Sequence, residues 1–155
     1  MKISNNHVHD NNSQFTDAHG IDLIDSRSNV VMKNVIERNG ANRLLVGGVS
    51  DSGIQLLNGS PSGDTSGNQI HTNSVSDNCG DGIAAVLGAN NNDIIKNTAR
   101  FNGDGTLAGQ CLSVAAGTFF DLAERSVGPG NVWNPNNQCR TQSATIPAGV
   151  CNPGE

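Results

Sequence analysis

Apolar residues in this chain come singly or in short alternating runs, and polar residues separate them at recurring intervals. One pattern returns four times: an apolar residue, two residues, Asn, one residue, an apolar or small residue, two residues, Asn. It reads Ile3, Asn6, Val8, Asn11, then Val31, Asn34, Ile36, Asn39. It reads again as Ile70, Asn73, Val75, Asn78 and as Ile94, Asn97, Ala99, Asn102. Spacing is identical inside every copy, while the stretches between copies differ in length. A second element follows each copy: Gly20-Ile21-Asp22-Leu23, Gly53-Ile54-Gln55-Leu56, Gly82-Ile83-Ala84-Ala85-Val86 and, more weakly, Gly109-Gln110-Cys111-Leu112. Alternating apolar positions after a glycine predict short strands with one buried face. Asn29, Asn68 and Asn92 then close the units.

One such unit cannot bury its apolar face alone. Stacked in parallel, successive units bury those faces together and pair each strand with its equivalents on either side. The pattern therefore predicts an all-β fold, a short right-handed parallel β-helix solenoid of about four to five coils with an irregular C-terminal cap. Coils occupy 1–116, and the cap and tail, with Phe119, Phe120, Leu122 and Trp133, occupy 117–155. Asparagine suits the repeated turns because it tolerates the left-handed region and bonds nearby backbone. Identical asparagines one coil apart are also spaced to bond one another into a ladder. Variable lengths become loops, chiefly 40–52 and 58–67.

Composition agrees. Of 155 residues, 22 are Asn and 19 Gly, and only 3% are aromatic. Both abundant residues are poor helix formers, which disfavours a helical bundle. The glycines keep no three-residue period, so collagen is excluded, and no apolar run approaches the length of a membrane helix. A net charge of -5 with nine Lys+Arg argues against nucleic acid as a partner. Residues 1–6 carry no apolar signal region.

Asn73-Ser74-Val75-Ser76-Asp77-Asn78 and Gly82-Ile83 resemble the repeats of right-handed parallel β-helix proteins, the pectate-lyase-like superfamily of polysaccharide lyases, epimerases, hydrolases and phage tailspikes. The resemblance spans roughly 3–115. The run Gly130-Asn131-Val132-Trp133 through Cys139 and Cys151 is similar to the C-terminal ends of secreted bacterial members, which implies an extracellular or periplasmic origin. Members commonly begin with a capping element, whereas this chain opens inside a repeat. Self-association as a homodimer through the N-terminal coil is the expectation, with Lys2, Ser4 and Asn5 blunting that edge as the alternative.

Aligning the coils aligns their outward positions. One row holds His9, Glu37, Ser76 and Arg100, and its neighbour Asp10, Arg38, Asp77 and Phe101. The resemblance implies that such a strip binds acidic polysaccharide, with Asp for calcium or acid/base work and Arg for uronate carboxylates. The competing reading is a solvated face with weak ion pairs. Asp17, His19 and Asp22 are secondary candidates. Ala18-His19-Gly20 departs at its first residue from the Gly-His-Gly of polygalacturonases, and Phe15-Thr16-Asp17-Ala18-His19 lacks the proline of the Asp-Pro-His segment of alginate epimerases. His7, His9 and His19 with Asp10 or Asp17 are the residue types a zinc or copper site uses, but surface and turn roles are commoner, so no metal is assigned. Calcium is the one cofactor the resemblance admits. Cys79, Cys111, Cys139 and Cys151 lack paired zinc spacing. Either Cys139 and Cys151 form a disulfide that staples the tail, or all four are free thiols with Cys111 in the core. The expected function is a non-catalytic module that binds carbohydrate, self-assembles, or does both. The alternative is a polysaccharide lyase, epimerase or hydrolase, or a truncated remnant of one, its loops 40–52 and 58–67 walling a groove over Asp10, Arg38 and Asp77.

Overall fold

The computed structural model describes residues 1–11, 18–40, 51–103, 119–126 and 130–152. Its strands follow the alternation. The first coil comprises β1 (Lys2–Ser4), β2 (His7–His9) and β3 (Ile21–Ile24), and the second β4 (Val30–Met32), β5 (Val35–Glu37) and β6 (Ile54–Leu57). The third comprises β7 (Gln69–His71), β8 (Ser74–Ser76) and β9 (Ile83–Val86), and the fourth β10 (Asp93–Ile95), β11 (Thr98–Arg100) and β12 (Leu122–Arg125). β13 (Val132–Trp133), β14 (Asn137–Cys139) and β15 (Cys151–Asn152) follow. Every pairing is parallel, and three sheets result. Sheet A is β1-β4-β7-β10-β13, sheet B is β2-β5-β8-β11-β14-β15, and sheet C is β3-β6-β9-β12.

Each strand of sheets A and B sends one side chain inward. Val31, Ile70 and Ile94 line one column, and Ile36, Val75, Ala99 and Cys139 another, all 0% exposed. Sheet C contributes two columns, led by Ile21, Ile54, Ile83 and Leu122 and by Leu23, Leu56 and Ala85. The fourth described strand of sheet C is Leu122–Arg125, and the weaker fourth version expected at Gly109–Leu112 lies outside the described residues.

Three asparagine ladders run along the corners. Between sheets A and B, Asn6, Asn34, Asn73, Asn97 and Asn137 stack. Asn73 shows the unit: its Oδ1 accepts the backbone N–H and the Nδ2–H of Asn34, both at 3.0 Å. Its own Nδ2 donates forward to Asn97 Oδ1 at 3.0 Å and back to the Val31 carbonyl at 2.9 Å. The second ladder, Asn11, Asn39, Asn78 and Asn102, follows sheet B. A third, Asn29, Asn68, Asn92 and Asn131, precedes sheet A. The sequence pattern shows two of these columns and treats the third only as unit boundaries.

The asparagines are not themselves the left-handed residues. The residue before each is, Asn137 excepted. Lys33, Thr72 and Lys96 have φ of 55°, 59° and 56°, and Arg38, Asp77 and Phe101 have 53°, 57° and 61°. That reversal of backbone direction is what aims the Asn amide along the stack. For a β-branched residue such as Thr72 it costs about 1–2 kcal/mol.

The ladders also fix the glycine that opens each sheet C strand. A Cβ on Gly53 would lie 2.4 Å from Val75 Cγ1 and 2.7 Å from Asn78 Nδ2. In the fourth coil Asp121 takes this position, and its Oδ1 accepts from Asn102 N and Nδ2 at 3.0 and 3.1 Å. Its Oδ2 accepts from the Arg140 and Thr141 amides at 2.8 and 3.1 Å. The third ladder ends similarly: Asn131 Nδ2 donates to Glu124 Oε2 at 2.9 Å, and Trp133 Nε1 donates to the same oxygen at 2.8 Å. Asn137 Nδ2 ends the first ladder on the Asn134 carbonyl at 2.7 Å. Cys139 and Cys151 form a disulfide with Cα atoms 5.1 Å apart, fastening β15 to β14, and Cys79 is also disulfide-bonded.

Three stability outcomes follow from the ladder chemistry. Asn73→Ala strands the two buried Asn34 donors and should cost about 2–6 kcal/mol at about 1–3 kcal/mol per stranded group. Asn6→Ala, at the exposed first coil, should cost about 1 kcal/mol or less. Thr72→Asn should instead stabilise by about 1 kcal/mol by relieving the left-handed threonine. Urea unfolding midpoints of the three variants check the ordering.

Candidate functional site

The outward rows fall where the coil register predicts. His9 pairs with Glu37, Glu37 with Ser76, and Ser76 with Arg100 across β2, β5, β8 and β11. Asp10, Arg38, Asp77 and Phe101 occupy the left-handed corner beside them.

In the first two coils the strip spends its charges on itself. Arg38 donates to both Asp10 oxygens, at 3.2 and 3.1 Å, and to Glu37 Oε1 at 2.5 Å. His7 Nε2 lies 3.0 Å from Glu37 Oε1, His9 Nδ1 lies 2.6 Å from Asp10 Oδ2, and the two rings lie tilted by 39° with centroids 4.4 Å apart. Hydrogen bonds from Arg38 and then His9 hold the Asp10 carboxyl down at about 2. The bond to His7, followed by that to Arg38, lowers Glu37. The outer half of the strip differs: Phe101 is 45% exposed, and the Arg140 guanidinium lies over its ring at 4.7 Å.

Loop 58–67 does not wall this strip. It sits at the corner between sheets C and A, tied there by Gly59 N to Asp25 Oδ1 at 2.9 Å and by Arg27 to Asp64 at 3.2 Å. The strip lies at the corner between sheets B and C, so a groove bounded by both predicted loops is ruled out by topology. Most of 40–52 lies outside the described residues.

His19 and Asp22 belong to a different surface, the outer face of sheet C, and Asp17 lies outside the described residues. Beyond the first coil, where Asp22 is exposed, this face is buried, whereas the outer rows of the other two sheets are half-buried or exposed. Ser52, Asp81, Ala84 and Ala123 are 0% exposed and Gln55 5%. Asp81 accepts Arg125 Nε and a second guanidinium N–H at 2.7 and 2.8 Å, together with the Phe120 amide at 2.8 Å. That bonding raises Arg125 above its ordinary value, and its guanidinium lies 5.9 and 5.8 Å from the Phe119 and Phe120 rings. Asp51 Oδ1 accepts the Ala18 amide at 3.0 Å. His19 Nδ1 accepts the Ser52 amide at 2.9 Å.

The last bond settles the imidazole's chemistry. With its Nδ1 lone pair engaged, a neutral His19 carries its proton on Nε2 and presents a donor there, not a metal-ligating lone pair. Among the described residues, no group of three or more His, Cys, Asp or Glu side chains is arranged to hold a metal ion. Sequence reasoning passed over Ser52, Gln55, Asp81 and Arg125. The one available signal was that Ser52 and Asp81 share the position before the repeated glycine with His19.

The paired strip has a measurable acid signature. A carboxyl held below its ordinary value favours the folded state above the ordinary carboxylate range, and that contribution is lost as pH falls towards about 2. In Arg38→Met the Asp10 side-chain carbon should titrate closer to the ordinary value of 3.8. Carbon-detected NMR checks this, and an unmoved midpoint would show that Arg38 does not hold Asp10.

Comparison with known proteins bears on the fold alone. The profile of the family described as right handed beta helix region matches residues 1–99. Neither the curated proteins nor the solved structures include a significant match. With the matched segment covering most of the chain and ending at Ala99 on β11, the chain belongs to the right-handed β-helix family.

Proposed function

We propose that this chain is a structural β-helix module that self-associates by stacking its first coil on that of a second copy. One observation carries the reading. Ile3 and Val8 are only partly buried, whereas the residues they pair with, Val31 and Ile36, are 0% exposed. β1, β2 and β3 are also the terminal strands of their sheets, so each presents an edge that templates further pairing.

The opposite end supports a second copy meeting this face about a two-fold axis. There the ladders finish on Asp121, Glu124 and the Asn134 carbonyl, and Ile146 and Val150, each 3% exposed, pack into the core. A head-to-tail stack would have to displace those contacts. A strand edge, with alternating N–H and C=O groups, is complementary to its own two-fold copy.

A second reading, binding of an acidic polysaccharide, is favoured by the outer half of the strip, where exposed Phe101 and the Arg140 stacked on it sit beside Arg100 and Asp77. It does not draw on Asp10, Glu37 and Arg38, whose charges are mutually paired.

Light scattering after size exclusion, across a tenfold concentration range, tests the first reading. The expected mass is near twice 16.1 kDa. Val8→Lys should give the monomer mass with an unchanged far-ultraviolet spectrum, because the lysine takes an edge position without emptying the core. A wild-type monomer throughout the range overturns self-association. Retention on a polygalacturonate column, lost in Phe101→Ala, would favour the second reading.

A further inference from the structure

The imidazoles of His7 and His9 stand in a different state from that of His19. They flank the inward Val8 on β2, so strand alternation puts both on the outer face of the first coil. Both residues are exposed. Each ring also has a carboxylate against one nitrogen: Glu37 Oε1 lies 3.0 Å from His7 Nε2, and Asp10 Oδ2 lies 2.6 Å from His9 Nδ1. An ionised carboxylate only accepts, so in a neutral ring the nitrogen facing it carries the proton. The lone pairs are then on His7 Nδ1 and His9 Nε2. Arg38 donates to both carboxylates and holds the two acceptors together. Carboxylates on the far nitrogens are the outer partners that orient metal-bound histidines.

We propose that His7 and His9 together bind a divalent transition-metal ion at the open edge of the solenoid. The spacing suits one ion. Two imidazoles on a zinc ion, each nitrogen about 2.0–2.1 Å from the metal, have ring centres about 5 Å apart. Here the centres are 4.4 Å apart, with the planes tilted by 39°. Donor type chooses the class: neutral imidazole suits zinc, copper or nickel, whereas calcium and magnesium take oxygen. Two ligands leave the shell half filled, and its completion rests on the self-association proposed above. β2 is the terminal strand of sheet B, and a two-fold axis through it sets a second copy's two imidazoles beside the first pair. Four nitrogens then make a tetrahedral shell. One copy supplies only two of them, in keeping with the absence of any group of three or more among its described residues.

The test follows the imidazole resonances of the full chain by NMR during titration with zinc chloride, and with calcium chloride in parallel. Zinc should produce a saturable shift at His7 and His9 and none at His71, on sheet A. Calcium should produce none at any of them. His7→Ala and His9→Ala, at exposed positions of a terminal strand, should keep the far-ultraviolet spectrum. Each should weaken zinc binding about a hundredfold, because the second bond of the chelate is lost. No saturable response, a response at one ring alone, or saturation by calcium would overturn the site. Stoichiometry separates the site from the self-association. One zinc ion per two chains, at a mass near twice 16.1 kDa, supports completion by a second copy. One ion per chain at the monomer mass overturns that completion and the self-association with it, and supports His7 and His9 as a site within one copy.

Discussion

Everything in this molecule depends on how one asparagine amide is shared among three layers. Its oxygen takes two N–H groups from the coil before, and its nitrogen gives one hydrogen to the coil after and one back to a main-chain carbonyl. No other side chain does this at the same length. Aspartate lacks the donors, and glutamine carries an extra methylene that the strand spacing leaves no room for. Because every member is satisfied, burial strengthens the ladder instead of penalising it. A chain with few aromatics and a narrow aliphatic core holds its coils in register by this means.

Such a ladder has a direction. Donors point forward along the chain, so its last coil needs acceptors that donate nothing back. Asp121 and Glu124 meet that need with carboxylates, and Asn134 with a carbonyl. Asp121 stands where three earlier coils place glycine, since only here is a side chain required to reach the ladder. Glu124 replaces the inward Leu23, Leu56 and Ala85 and takes the Trp133 indole N–H as the core ends. The acidic residues at this end are thus the ladder's terminal chemistry.

The same physics separates what could be read in the sequence from what could not. Stacking demands constant spacing between the apolar residue and its asparagine, so two ladders and the rows of the strip were legible from residue positions. The left-handed corners were not, because Lys33, Arg38, Thr72 and Phe101 share no side-chain character that announces φ above zero. The fourth sheet C strand, Leu122–Arg125, carries no glycine signal, because Asp121 stands where the earlier coils have glycine. In the strip, positions were legible but not pairing. Arg38 sits one coil from Asp10 and next to Glu37, and bonding distance to both needs side-chain geometry that rows alone do not specify.

The buried polar face of sheet C was the least legible feature, and the reason lies in how the corners differ. Sheets A and B are joined through constant two-residue turns, Asn5–Asn6, Lys33–Asn34, Thr72–Asn73 and Lys96–Asn97. Those turns are saturated by ladder bonds and leave no length to vary. Both flanks of sheet C, by contrast, carry connections of differing length, which is why the ladder spacing along the chain runs 28, 39 and 24 residues while the stacking stays regular. Extra chain can enter a coil only where no ladder bond is broken. It therefore gathers around sheet C, and the outer face buried there, with Ser52, Gln55 and Asp81, is the part of the molecule free to diverge without unstacking the rest.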